Sequence, residues 1–214
     1  YAVAGRVVEA GAGREVILAA GAISSPHLLE LSGIGRGAVM QKLGITVVRD
    51  LPGVGENLQD HLQARAIYRC PRPITLNDEV NVWWRKMLIG IEYALHRSGP
   101  MSMGASQLAI FARTRPELET PDVQFHIQPL SSDSPGEGLH PYSAFTASVC
   151  QLRPESRGSI VPKSPDPVVY PAIHPNYLAT RTDRETIVAG MRLSRRLAAT
   201  KARSPYVAEE LRPG

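Results

Sequence analysis

Residues 16–35 constrain the fold most tightly. An apolar run, Val16-Ile-Leu-Ala-Ala20, stops at Gly21 and is followed by Ser24, Ser25, Pro26 and a leucine-rich stretch closing at Gly33. A short aliphatic run halted by glycine predicts a buried strand. Ser24 and Ser25 offer N-caps, and Pro26 falls where a first helical turn needs no N–H. Leu28, Leu29 and Leu31 supply an apolar helix face, and Gly33 suits the left-handed position after a helix. Strand, glycine turn and helix present free N–H groups that can meet an anionic or polar cofactor. The same geometry also occurs in α/β proteins that bind nothing there.

Around this element the sequence predicts a mixed fold. Ala2-Val3 and Val7-Val8, a turn at Gly11–Gly13 and a strand over 14–20 form a small β-element. A second helix over 37–43 ends at Gly44, Ile45–Val48 reads as a brief strand, and Leu51–Gly55 has turn chemistry. The clearest helix spans 78–97, capped by Asn77 or Asp78, with Val80, Trp83, Trp84, Met87, Leu88, Ile91 and Leu95 at helical spacing. The tryptophans on that stripe serve either core packing or a ligand cavity. More than half of the 18 prolines lie between Pro121 and Pro175, interleaved with β-type runs at 122–128, 144–152, 158–161 and 168–170. That pattern predicts an antiparallel sheet with proline-bearing edges and turns, one of them at Arg157-Gly158. Thr182 and Glu185 read as a capping box opening a last helix through Ile187, Val188, Met191 and Leu197.

Composition excludes several function classes. The net charge of +4 is dispersed, and the basic residues from Arg192 to Arg203 read as a solvated helix face, with no aromatic-flanked stripe of the kind that binds nucleic acid. No apolar run reaches membrane-spanning length. Cys70 and Cys150 lie far apart, form no metal-spaced set and read as small core residues. No metal site is expected. Gly33–Gly37 and Gly53–Gly55 do not complete a dinucleotide fingerprint, and no nucleophile elbow, P-loop or zinc-protease motif occurs.

Two further stretches carry candidate chemistry. Gly53–His61 concentrates Asn57, Gln59, Asp60 and His61 after a tight turn, which reads either as a hydrogen-bonded loop or as an Asp-His general base. In Val123–Gln128 the apolar Val123, Phe125 and Ile127 alternate with Gln124, His126 and Gln128, so one sheet face carries a polar row. That row is either solvated or the wall of a ligand cavity.

Gly21–Gly35, with Ser25-Pro26 and Ser32-Gly33-Ile34-Gly35 at fixed offsets, resembles the second signature of the glucose–methanol–choline (GMC) family of flavin oxidoreductases. Gly53–His61 is similar to the family's Gly-Val-Gly-x-Asn-Leu-x-Asp-His segment. Residues 151–158 and 170–178 resemble its substrate domain, and the resemblance is close to the bacterial choline-dehydrogenase-like branch. The resemblance implies an α+β, mixed α/β chain: residues 1–55 the C-terminal side of an FAD-binding Rossmann-like domain, and 56–214 a substrate domain with an antiparallel sheet flanked by helices. It implies FAD as cofactor, an alcohol as small-molecule substrate, and hydride transfer from the alcohol carbon to flavin N5 assisted by a histidine base. By the same resemblance Ala20, Gly21 and Ser24 contact FAD, and Asn57 and His61 shape the cofactor surroundings without moving protons. Gln124 and His126 line the substrate wall, and His174 is a structural loop residue. The pyrophosphate-binding GxGxxG and the catalytic histidine of the family are both absent. With Tyr1 in place of Met, this makes the chain an expected internal piece, with the base beyond Gly214. The implied location is cytoplasmic or peripheral to the inner membrane. Alternatives are a hydroxynitrile lyase of the same fold, a non-catalytic binding module, and a nicotinamide dehydrogenase.

Overall fold

Two short strands, β1 (Ala2–Val3) and β2 (Arg6–Val7), form an antiparallel pair at the start of the chain. Then come α1 (Gly21–Leu31), β3 (Ile34–Gly35), α2 (Gly37–Lys42), β4 (Arg49–Asp50) and β5 (Gln63–Arg69). They are followed by α3 (Leu76–Val80), α4 (Trp83–His96), β6 (Leu108–Ala112), β7 (Val123–Gln128) and β8 (Ala144–Gln151). The order ends with β9 (Ser159–Val161), β10 (Ala172–His174), α5 (Arg181–Ala198) and β11 (Glu209–Arg212). This computed structural model describes residues 1–134 and 136–214. It has the mixed helix-and-sheet fold that the sequence predicts, with a multi-strand antiparallel sheet. The chain forms two compact units, one of residues 1–58 with 157–176, the other of 59–156 with 177–214. The sequence predicts a single boundary, after residue 55.

In the first unit α1 is followed by β3, which pairs in parallel with β4, while β9 and β10 form a separate antiparallel pair. Helix α2 ends before Gly44, which has φ +72° as expected, and residues 52–55 form the predicted turn. Several local expectations fail here. Residues 14–20 form no strand, and Val16 and Ile17 are exposed, because a buried strand needs hydrogen-bonded neighbours and no described strand pairs with this run. The strand expected at 45–48 is displaced to Arg49–Asp50, where Ile34 and Gly35 supply the partner. Val168–Tyr170 is a turn region; the paired strand is Ala172–His174, so His174 lies in a strand opposite Ser159 and not in a loop. Gly158 bridges to Leu58 instead of turning.

In the second unit five strands pair antiparallel in the order β11-β5-β8-β7-β6. Alternation puts Ala66, Tyr68, Val123, Phe125, Ala147 and Val149 on one face, all buried, with Ile127 beside them, and α5 packs against it through Met191, Leu193 and Leu197. Gly190 lets the helix approach closely: a Cβ there would lie 2.8 Å from Val149 Cγ2. Cys70 and Cys150 are free and buried, as expected of small core residues. Helix α5 opens two residues before the expected box. Thr180 is its N-cap, with the Thr180 hydroxyl oxygen accepting from the Asp183 N–H at 3.1 Å. The helix expected over 78–97 is two helices. Thr75 and Asp78 form the capping box of α3, and Asn81 leaves the helix to donate its side-chain amide to the His140 carbonyl at 2.8 Å. Trp83 and Trp84 are exposed, so they do not pack a core.

Candidate functional site

The first unit brings Ala20, Gly21 and Ser24 together at the start of α1. The helix opens at Gly21, earlier than the serines suggest. Ser24 and Ser25 are therefore inside it and are not N-caps. The Ser25 hydroxyl instead accepts from the Ala20 N–H at 3.1 Å, tying the entering chain to the second turn. Gly21 has φ +81°, a left-handed conformation that costs glycine nothing, and no atom lies within 4 Å of where its Cβ would be. The first turn carries no acidic side chain and no side-chain cap, and residues 20–24 are exposed. Uncapped N–H groups with no negative charge nearby fit a ligand rich in acceptor oxygens.

The buried face of α1 reverses expectation. Leu28 is exposed, whereas His27 and Glu30 are buried. Glu30 is fully buried and accepts two bonds from the Arg36 guanidinium, from Nε at 2.8 Å and from Nη2 at 3.2 Å. Arg36 also donates to Glu56 and to the Ile160 carbonyl. The hydrogen bond to Glu30 raises the Arg36 pKa against the opposing pull of burial. Two glycines make room for this node: a Cβ on Gly35 would lie 2.5 Å from Glu30 Cγ, and one on Gly55 2.7 Å from Arg36 Nη2. The Gly-Ile-Gly and Gly-Val-Gly runs thus meet on one ion pair, Gly35 against Glu30 and Gly55 against Arg36. Asn57 follows directly, exposed, in a left-handed conformation at φ +63°. One turn before Glu30, His27 Nε2 is buried with no hydrogen-bond partner among the described residues, an orphan that calls for a partner beyond the described protein atoms.

In the second unit His61 Nε2 lies 3.1 Å from the Leu152 carbonyl oxygen, so the ring is tied to backbone. Asp60 does not face that imidazole. Its carboxylate accepts from the Tyr177 hydroxyl, a bond that with burial pushes the Tyr177 pKa up, and from the His61 backbone N–H at 2.8 Å. An Asp-His general base is not assembled.

Gln124 and His126 lie on the sheet face opposite α5, both half-buried. Register makes this face a grid. Gln63, Cys150, Gln124 and Phe111 form one rank across β5, β8, β7 and β6, and Arg65, Ser148, His126 and Ala109 form the next. Burial raises the Cys150 pKa, which keeps it a thiol and unsuited to nucleophilic attack at neutral pH. Arg65 donates to the Asp133 carbonyl at 3.3 Å and is the one permanent cation of the two ranks. Ser148 and Cys150 in the middle of the grid are buried, so the face can hydrogen-bond a polar ligand through the amides of Gln63 and Gln124, the His126 imidazole and the Arg65 guanidinium. The sequence points to Gln124 and His126 on this face but not to Gln63, Arg65 or the Glu30–Arg36–Glu56 node. The i, i+2 spacing of Gln63 and Arg65 beside alanines was the available signal. Among the described residues no group of three or more His, Cys, Asp or Glu could hold a metal ion, and no helix is long and apolar enough to cross a membrane.

Comparison with known proteins bears on both units. The GMC oxidoreductase family profile matches residues 5–63 with its N-terminal part and 154–214 with its C-terminal part. The oxygen-dependent choline dehydrogenase of Pseudomonas putida is 40% identical over 207 residues, covering 97% of this chain and 36% of its own. That of Vibrio vulnificus is 39% identical over 214 residues, covering 100% of this chain and 38% of its own. The chain thus spans about a third of the length of these curated relatives. Among solved structures, a variant of Aspergillus oryzae formate oxidase studied for FAD modification superposes with a TM-score of 0.83 at 26% identity, over 94% of this chain and 40% of that one. Pyridoxine 4-oxidase from Mesorbium loti gives 0.69 at 26% identity, over 91% and 34%.

Proposed function

Because the chain belongs to the GMC oxidoreductase family, we propose that it forms part of an FAD-dependent enzyme oxidising the CH–OH group of choline or a primary alcohol. The observation that carries this reading is the donor-only turn at Gly21, set within a segment that matches the family. FAD fits it: phosphate and flavin oxygens are acceptors, and the turn offers exposed N–H groups with no acidic side chain. Ala20, Gly21 and Ser24 hold the cofactor, while Asn57 and His61 fix the backbone around it. Residues 1–55 act as part of the flavin domain and 56–214 as substrate domain. When bound, FAD supplies hydride acceptance from the alcohol carbon.

The chain's own residues bind and orient. Gln124 and His126 meet the alcohol, and the exposed Gln63 in the same rank as Gln124 extends that surface. Holding the reacting carbon in place is where such groups contribute to rate. No residue of the 214 is assigned the proton-accepting role. The protein is cytoplasmic or peripheral to the inner membrane.

The test is an anaerobic titration of the intact flavin-loaded protein with choline and primary alcohols. Loss of the oxidised-flavin absorption band supports the reading, and its return on admitting air identifies oxygen as an acceptor. A bound flavin that no alcohol bleaches, in a protein that cleaves cyanohydrins, points to the lyase alternative. A protein that binds no flavin overturns the proposal.

A further inference from the structure

On the polar face of the five-stranded sheet, Arg65 lacks a counter-charge. The arginines near it in the sheet are neutralised: Arg69 pairs with Glu209 at 3.2 Å, and Arg212 with Asp133 at 2.5 Å. The Asp133 carboxylate also meets His140 Nε2, at 3.4 Å. Arg65 reaches only the backbone carbonyl of Asp133, at 3.3 Å, and among the described residues no carboxylate pairs with it. A guanidinium carries five N–H donors. One long bond leaves most of them for a ligand, on a side chain that is half-buried.

The rest of the face carries no group suited to a cation. The next rank, Ile67 and Thr146, is buried, with the Thr146 hydroxyl donating to the Leu130 carbonyl at 2.8 Å. The open part of the face therefore ends at the rank of Arg65. Within it the groups that are not buried are Gln63, Gln124, Phe111, Arg65, His126 and Ala109. None is a carboxylate, and Phe111 is the one aromatic ring among them, on β6, the strand of the sheet farthest from Arg65 but for its edge partner. A quaternary ammonium is recognised by a cage of aromatic rings or by an acid, and a fixed guanidinium repels it. A carboxylate instead takes two parallel N–H bonds from a guanidinium.

We propose that Arg65 binds a substrate carboxylate, so that the alcohol oxidised is a hydroxy acid and not a cationic alcohol such as choline. This rests on the reading of the face as the substrate wall. His126 and Arg65 share a rank with β8 between their strands, which sets their Cα atoms about 10 Å apart. A chain with hydroxyl and carboxylate at opposite ends can meet both, the hydroxyl at Gln124 and His126 and the carboxylate at Arg65. Arg65 binds and takes no part in the redox step.

The experiment titrates the intact flavin-loaded protein anaerobically with 6-hydroxyhexanoate, hexanol and choline. Calorimetry with hexanoate, which has no hydroxyl to oxidise, gives a readout independent of turnover. The hydroxy acid should bleach the flavin at the lowest concentration and choline at the highest. Arg65→Gln should lower the preference for the hydroxy acid over hexanol about 10- to 100-fold, the worth of a hydrogen bond to a charged group, and weaken hexanoate equally. Arg65→Lys should keep part of both, since it retains the charge without the planar fork. Circular dichroism checks that the variants fold. Choline preferred by the unaltered protein, or a preference that Arg65→Gln does not move, overturns the inference and leaves the oxidoreductase reading standing. Hexanoate binding that depends on Arg65, in a protein whose flavin no alcohol bleaches, supports the carboxylate site and overturns the oxidoreductase reading instead.

Discussion

In the unit of residues 1–58 and 157–176, the buried centre of α1 is charged: Glu30 is enclosed by Arg36, and glycines 35 and 55 leave the space. In the unit of residues 59–156 and 177–214, the centre is Val123, Phe125 and Val149 against α5, with no charge in the cluster. The difference lies in how each unit encodes its geometry. A guanidinium bound to Glu30, Glu56 and the Ile160 carbonyl fixes three segments distant in sequence at one point, by direction. An apolar face fixes a helix against a sheet by area and shape, tolerating volume-conserving changes. The first mode sets direction at one point, and the second sets the spacing of two layers.

The sharpest way to break this contrast is to remove half of the charged node. Arg36→Met leaves Glu30 buried and unpaired and should cost about 3–5 kcal/mol, read by denaturant titration. Adding Glu30→Leu to Arg36→Met should recover most of that loss. A double variant as unstable as the single one would mean that the node specifies position beyond its own charge balance.

Asp183, buried at the third position of α5, tests whether the second unit also relies on a charge. Burial opposes its ionisation, but the Ser156 hydroxyl and the backbone N–H groups of Glu155 and Ser156 outweigh it and lower its pKa. Because the folded value lies below the unfolded one of about 3.9, its stabilisation is present above that pH and disappears as pH falls through the folded value. Asp183→Asn should cost about 1.5–3 kcal/mol at neutral pH. It should also flatten the acid limb of a stability-against-pH curve.

Gly190→Ala puts a methyl 2.8 Å from Val149 Cγ2, and overpacking there should cost about 1–3 kcal/mol, seen as a lowered Tm. At the small end, Arg181→Gln removes a wholly exposed pair with Glu185 and should leave the melting curve unchanged. A clear shift would show surface charge contributing where the contrast assigns it nothing.

What the sequence made legible was whatever local pattern dictates. Val123–Gln128 alternates, 144–151 is rich in β-strand formers, and Gly44 closes α2, so these elements stand close to where they were expected. What failed depended on distant partners. Val16–Ala20 has the residues of a strand but no described neighbour to pair with. Helical spacing located α4, yet periodicity marks an apolar side without saying which residues lie on it, and among the described residues none buries it. Glu30 and Arg36 look like solvated charges at the rim of a leucine helix, and only the return of Gly55 and Ile160 encloses them. For the candidate site, Gly21 and Ser24 were visible as a turn. The grid of Gln63, Arg65 and Ser148 needed the register of three strands.

The division of labour between the two units is tested most directly by hydrogen exchange on the intact protein, first with and without FAD, then with a substrate-like alcohol added to the flavin-loaded form. FAD should slow exchange at residues 20–24 and leave 124–126 nearly unchanged, and the alcohol should then protect 124–126. Unchanged exchange at 20–24 on flavin binding, or an alcohol effect confined to the first unit, would contradict the assignment.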